Sequence, residues 1–349
     1  MSSSDSLLYE QIADTLRKRI LSGTYPVKTR LPSEQALASE FKVSRPTIKN
    51  AIRVLGKESL IRTRPAVGSF VIRERPDRIQ VGYIAPSLSD PFHGYMVEQL
   101  DTRLQRMGGS LIVAGGGRTI YTLEKSVNRL RKSGVSGLLI STDPTINCRR
   151  IERLKIPVVW CGGTPDSPET DRVTIDNASG ICDLMDHVRS AGAASFGYAQ
   201  PCNRGMGDDL RSRAFLKYIK THNLITKKKW QIRSRREGEQ SGREILRRFL
   251  RCTSMPDTII CCNDWTAMGV VREALEQGIA IPGDLMVTGF DNLLISSYLQ
   301  IPLTTVDYRI PELAATALTL LQSRLKDPKR EPESVLLKGK LVVRQSTKG

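Results

Sequence analysis

From residue 79 to the C-terminus, short apolar runs alternate with amphipathic helical patterns, and this alternation constrains the fold more than any other feature of the chain. The first run, Ile79-Gln-Val-Gly-Tyr-Ile-Ala-Pro86, is almost wholly apolar and lacks the period-two pattern of a strand with one wet face. Apolar strands separated by helices form parallel sheets covered on both faces. The pattern predicts strands near 79–84, 110–114, 137–141, 157–161, 195–198, 258–262, 285–290 and 303–306. Helices are expected at about 92–107, 122–133, 178–191, 208–222, 240–251, 264–277 and 311–326. A run of this length is enough for two α/β units.

The first 75 residues read differently. Leu8, Ile12, Leu16 and Ile20 recur every four positions, and Gly23 follows as a stop, so one helix spans about Leu7–Leu21. A second helix opens at Ser33, and Leu37 and Phe41 lie on its inner face. A third starts at Ser44, with Ile48, Ala51, Ile52 and Leu55 as its apolar stripe. Two short strands, Leu60–Arg64 and Ser69–Ile72, are joined by Pro65-Ala-Val-Gly68. The junction is charged and carries Pro76, which divides the chain into a small domain over 1–75, a linker over 76–80 and a large domain over 81–349.

Composition adds a partner class. The 349 residues hold 53 Lys+Arg against 36 Asp+Glu, a formal net charge of +17, which points to a polyanion such as nucleic acid. No stretch is apolar enough to span a membrane, and the N-terminus lacks a secretory signal, so the expected location is the cytoplasm. The seven cysteines form no CxxC and read as free thiols.

Helix two, the turn at Lys42-Val43 and helix three form a helix-turn-helix. On helix three Arg45, Lys49 and Arg53 fall at i, i+4 and i+8 on the face opposite the apolar stripe, flanked by Thr47 and Asn50. A helix fits the major groove, where arginine pairs with a guanine edge, and Ser44 at the helix start can contact phosphate. The stretch Leu8-Tyr-Glu-Gln-Ile-Ala, Gly23-Thr-Tyr-Pro26, Arg30-Leu-Pro-Ser-Glu34, Val43-Ser-Arg45-Pro-Thr-Ile48 and Leu60-Ile61 resembles the GntR-type winged helix-turn-helix. The resemblance implies that Ser44, Arg45, Thr47 and Lys49 read the operator, and that Val67 and Gly68 at the wing tip meet the minor groove or backbone. The wing departs from the usual Gly-x-Gly-Thr-Phe, reading Ala66-Val-Gly68-Ser-Phe70, and Gln35 stands where arginine is usual.

The large domain carries no GxSxG, HExxH or GxxxxGK[ST], and its histidines lack metal spacing, so no enzyme, metal or cofactor is expected. Ligands of parallel sheets bind beyond the C-terminal strand ends. Asp90 and Phe92, Asn263-Asp264 and Asp291-Asn292 all lie just past predicted strands. Carboxylates there can accept hydroxyls, and Phe92 offers a face for a sugar or base ring. Asp264 is expected to cap the following helix. Val81-Gly-Tyr-Ile-Ala-Pro, Val173-Thr-Ile-Asp-Asn177, Arg211-Ser-Arg-Ala-Phe215, Val287-Thr-Gly-Phe-Asp291 and Pro302-Leu-Thr-Thr-Val306 resemble, in order, the LacI/GalR effector-binding module. The resemblance implies a two-lobed type I periplasmic-binding-protein fold, with Arg211, Asn263 and Asp291 contacting the ligand. Two departures stand near this cleft, Gly205-Met-Gly207 and Trp160-Cys-Gly-Gly163; Gln240 is a further candidate for it.

Together the two modules resemble arabinose-repressor-like transcriptional regulators. The expectation is a homodimer that binds double-stranded operator DNA, with a small-molecule effector, a sugar among the candidates, controlling affinity. The competing readings are a cytosolic small-molecule binding protein and a regulator that is activating or needs a corepressor. Residues 217–251 hold 12 Lys+Arg and three acids, either a solvated basic surface or an additional phosphate-contacting one.

Overall fold

The computed structural model describes residues 3–58, 60–65, 67–72, 79–117, 119–142, 151, 156–162, 170–201 and 210–347. The chain divides into two compact units, Met1–Arg78 and Ile79–Gly349. Of the expected linker 76–80, residues 76–78 lie outside the described residues, as do Ala66, Cys148, Gly163, Cys202 and Gly205-Met-Gly207.

In the first unit three helices precede a hairpin: α1 (Ser3–Leu21), α2 (Glu34–Phe41), α3 (Arg45–Lys57), β1 (Ile61–Arg64) and β2 (Gly68–Val71). Leu16, Ile20, Leu37, Ile48, Ala51 and Leu55 are fully buried and hold the helices around one core. The Ser33 side chain accepts from the Ala36 N–H and starts α2, and Ser44 does the same for α3 through the Thr47 N–H. Lys42 ends α2 in the left-handed region at φ 54°, which turns the chain sharply enough for α3 to begin at Arg45. The hairpin pairs Ile61 with Val71 and Arg64 with Gly68.

The second unit contains two parallel sheets. The first has six strands in the order β13-β7-β6-β5-β3-β4: β3 (Gln80–Ala85), β4 (Ser110–Gly115), β5 (Gly137–Ile140), β6 (Val158–Cys161), β7 (Asp171–Ile175) and β13 (Ser334–Leu337). The second has the order β11-β10-β8-β9: β8 (Phe196–Pro201), β9 (Gln231–Ser234), β10 (Thr258–Cys261) and β11 (Met286–Thr288). A small antiparallel pair, β12 (Thr305–Asp307) with β14 (Lys340–Val342), completes the strands. The chain thus leaves the first sheet after β7, builds the second, and returns to lay β13 beside β7.

The described helices between them are α4 (Pro91–Arg106), α5 (Ile120–Lys132), α6 (Asn177–Ser190), α7 (Leu210–Thr221), α8 (Gly238–Leu250), α9 (Asp264–Glu276) and α10 (Ile310–Lys326). All eight strands expected in this unit occur, within three residues of their expected starts and ends, and all seven expected helices occur within two. Four strands were not predicted: β7, β9, β13 and β14. Each mixes polar and apolar residues, as in Gln231-Ile-Arg-Ser234, because β9 and β13 lie at sheet edges and β7 alternates buried with half-buried positions. A search for continuous apolar runs passes over such strands.

Candidate functional site

The candidate residues fall into two groups, one in each unit. On α3 the Ile48, Ala51, Ile52 and Leu55 stripe is buried, so the opposite face turns to solvent. Arg45, Lys49 and Arg53 are exposed there, and none has a carboxylate partner among the described residues. Ser44 and Thr47 share a hydroxyl–hydroxyl bond of 2.8 Å beside the first turn. These cations contrast with Arg17, tied to Asp14 and Glu58, and Arg19, tied to Glu40; in both, hydrogen bonding to the carboxylate holds the guanidinium pKa up.

At the hairpin end Gly68 has φ 126°, a conformation that side chains resist, and a Cβ there would run into the Arg30 guanidinium. Arg64 lies over the Phe70 ring at 5.4 Å. Arg30 therefore belongs to the wing surface, a placement that its position before α2 concealed.

In the second unit Arg211, at the start of α7, is the centre of a buried cluster. Its Nε donates to Asn177 Oδ1 (2.8 Å), Nη1 to the Cys262 carbonyl (2.5 Å) and Nη2 to Asp291 Oδ1 (3.2 Å). Its guanidinium stacks 3.9 Å above the Phe290 ring and lies 5.4 Å from the Tyr308 ring. Burial works to lower the Arg211 pKa, but Asp291 and the groups around it carry it upward. Burial pushes the Asp291 carboxyl up, opposed by the same guanidinium.

Asp291 and Asn292 have φ 125° and 54°, two consecutive non-glycine residues at positive φ, just beyond β11. Strain of this kind persists only where surrounding contacts impose it. Here the Asp291 N–H donates to the Val306 carbonyl, and Asn292 Oδ1 accepts from Arg344 at 2.7 Å.

Tyr308 links this cluster to the first sheet. Phe92 meets it edge to face, with ring centroids 5.1 Å apart. Asp90 accepts from the Phe92 N–H at 3.0 Å and starts α4, which sets the Phe92 ring at the end of β3. Beneath it the Tyr83 hydroxyl bonds His93 Nδ1 at 2.8 Å, and burial lowers the His93 pKa to about 4. The structure thus brings Phe92, Arg211 and Asp291 together around Tyr308.

Asn263 stands one residue from the carbonyl that Arg211 binds, but its Oδ1 accepts from the Thr266 N–H and caps α9. The expectation that Asp264 forms this cap is corrected. Asp264 is fully buried, and its carboxylate accepts from the Leu293 N–H, Ser296 and Thr305, tying β10 to the chain beyond β11. Gln240 is corrected too: it sits beside Arg236 on α8, away from the Arg211 cluster. Asn177, Phe290 and Tyr308 were missed as site residues. Asn177 stood in the quoted Val173–Asn177 motif, and Tyr308 lies two residues past Val306 of another; nothing in the sequence joins the two.

The two units define a class: a winged helix-turn-helix head followed by a two-sheet α/β module of the periplasmic-binding-protein type. Comparison with known proteins agrees with each part. Residues 8–71 match the family model of bacterial regulatory proteins, gntR family, and residues 185–347 that of the periplasmic binding protein-like domain. The chain is 23% identical over 361 residues to the arabinose metabolism transcriptional repressor of Geobacillus stearothermophilus, covering 97% of each protein. It is 27% identical over 274 residues to the HTH-type transcriptional repressor PurR of Mannheimia succiniciproducens, across 77% of this chain and 81% of that one. Among solved structures, the lac repressor dimer bound to operator and an anti-inducer superposes with a TM-score of 0.68 at 21% identity, over 79% of this chain and 96% of that one. The chain thus joins a helix-turn-helix domain of the gntR regulatory type to a periplasmic-binding-protein-like domain, the make-up of a DNA-binding regulator of transcription.

Proposed function

We propose that this regulator is a homodimeric repressor that binds double-stranded operator DNA through α3 and the wing, and that a sugar or sugar-like effector enters the cluster around Arg211 and weakens that binding. One observation carries the reading. A helix with three outward cations shares a chain with strand ends that converge on a buried ion pair ringed by Phe92, Phe290 and Tyr308.

In the head, Arg45 and Lys49 reach base edges, Ser44, Thr47 and Arg53 hold phosphates, and Gly68 brings the wing backbone close to DNA. In the sensor, a polyhydroxylated ligand fits this chemistry. Asp291 accepts two neighbouring hydroxyls, the Arg211 fork donates, Asp90 and Asn263 bound the polar end, and Phe92 covers a ring face. A ligand favouring one arrangement of the two sheets shifts the dimer between states only by its difference in affinity for them.

The arabinose metabolism repressor and the operator-bound lac repressor dimer support repression, a sugar-class effector and dimerisation. The reading is of a cytoplasmic, non-enzymatic protein, with residues 1–75 as DNA-binding domain and 81–349 as effector and dimer domain. No helix among the described residues is long and apolar enough to cross a membrane.

A thermal-shift screen of sugars, sugar acids and nucleobases tests the sensor. At about 100 times its Kd, a true effector adds roughly 2.7 kcal/mol to the folded state. The expected hit is a sugar or sugar acid that also lowers DNA affinity, and Asp291→Ala should remove both responses while leaving DNA binding intact. Retention of the response in Asp291→Ala overturns the effector site; a hit that strengthens DNA binding overturns release.

A further inference from the structure

Residues 231–251, the arginine-rich part of the basic stretch 217–251, line a cleft together with Arg272, apart from the Arg211 cluster. It is lined by β9, the outer faces of α8 and α9 and the turn between β9 and α8, and offers about 1200 Å³ of space open to solvent. Eight arginines, two glutamates and no lysine line it. Arginine presents a planar fork that matches phosphate or carboxylate in two bonds, whereas lysine offers a point charge.

The two walls differ in charge. On the α9 side the arginines are neutralised. Glu273, with its side chain wholly buried, accepts from Arg247 at 2.8 Å and faces Arg243 at 3.2 Å, Glu276 holds Arg243, and Glu239 holds Arg272 at 2.8 Å. The side formed by β9, the turn and the C-terminal half of α8 holds Arg235, Arg236, Arg248 and Arg251, with Arg233 beside them, and Glu244 is the carboxylate among its lining residues. Glu244 stands 3.8 Å from Arg236 and 3.9 Å from Arg248, and the Ser234 hydroxyl already occupies one of its oxygens at 2.8 Å. Exposed Arg235 and Arg251 have no carboxylate partner among the described residues.

Like charges gathered on a concave surface repel one another, and a multiply charged anion relieves this repulsion more than separate counterions do. Glu239, Glu273 and Glu276 cancel the arginine charge of the opposite wall, which leaves the attraction for an anion on the arginine-rich side. The space exceeds that of a single phosphate and lies just above the usual small-ligand range of about 300–1,000 Å³.

We infer that this cleft is a second ligand site for a small molecule bearing two or more linked phosphate groups, with the phosphates on the arginine-rich wall and a polar remainder against the Arg–Glu wall. Arg235 and Arg251 hold the phosphates. Arg248 frames the site, held through its Nη1 by the Arg233 carbonyl at 2.5 Å on the outer edge of β9.

Isothermal titration of the full chain with inorganic tripolyphosphate, at fixed near-physiological salt, tests the inference. The expected result is saturable binding of one tripolyphosphate per chain, weakened at least about tenfold by Arg235→Glu combined with Arg251→Glu and unchanged by Arg45→Ala. Both substituted side chains are exposed, and unchanged circular dichroism and melting temperature of the double variant establish that the fold is intact. Absence of saturable heat, or equal affinity in the double variant, overturns the site. Two further arms use a duplex of random sequence and polyglutamate. If tripolyphosphate does not bind while the double variant loses affinity for either polymer, the cleft is a nucleic-acid or acidic-protein surface and the oligophosphate proposal falls.

Discussion

Arg17 and Arg45 are both arginines on helices of the head, but only their surroundings separate a structural cation from one free to meet DNA. Arg17 is clamped between Asp14 and Glu58, whereas Arg45 has no carboxylate within reach among the described residues. Arg45→Ala should therefore cost about 1–3 kcal/mol of binding to a duplex selected from a random pool, with little change for unselected DNA. Fluorescence anisotropy at one salt concentration measures both. His93 carries a second prediction. Its folded pKa of about 4 lies below the ordinary 6.5 because burial disfavours the cation. The neutral ring's contribution is complete above pH 6.5 and is lost as pH falls through about 4, a loss approaching 3 kcal/mol. Urea midpoints at pH 7 and pH 4.5 should converge in His93→Gln relative to the parent chain. The i, i+4, i+8 pattern of Arg45, Lys49 and Arg53 was visible in the sequence because helical geometry is local. The Tyr83–His93 pair was not, because its partners meet only when α4 lies on β3.

At the scale of elements, α8 and α9 pack closely because Gly242 and Gly269 face each other; a Cβ on Gly269 would collide with the Glu239 carbonyl. Gly269→Ala should destabilise the second unit by at least about 2 kcal/mol, since backbone must move to admit the methyl group. Chemical denaturation checks it, and the same variant should disturb the arginine cleft built on those two helices. Helix positions were well predicted because each buries one apolar stripe, as Ile245, Leu246 and Phe249 do on α8. Two of the four edge strands of the parallel sheets were not: β9 and β13 have a neighbour on one side only, so their sequences need not be apolar throughout, whereas the edge strands β4 and β11 are apolar enough to be read. Asn263 and Asp264 show the same limit. Either residue type can start a helix, and the exchange of roles was decided by Ser296 and Thr305 reaching the Asp264 carboxylate across the sheet ends.

For the whole molecule, the proposed dimer should sediment at twice the 38.9 kDa of the chain. Its affinity for DNA should fall steeply with salt, and replacing Arg53 alone should reduce the slope of log K against log salt by about 0.9 for the phosphate contact removed. A monomeric sedimentation coefficient at the concentration that binds DNA would overturn the dimer. Part of the net charge of +17 gathers at two places, the outer face of α3 and the cleft between β9, α8 and α9. By itself the sequence determined the order of the two modules, the helix-turn-helix, the alternation that makes parallel sheets and the outward cations of α3, since each depends on spacing along one element. Only the tertiary structure decided that Asn177, Arg211, Asp291 and Tyr308 share one buried cluster and that residues 231–251 form, with Arg272, a cleft with one neutral wall and one charged wall. The physical reason is range: periodicity and capping act within a few residues, whereas burial, ion pairing and ring stacking depend on which distant segments the two sheets bring into contact.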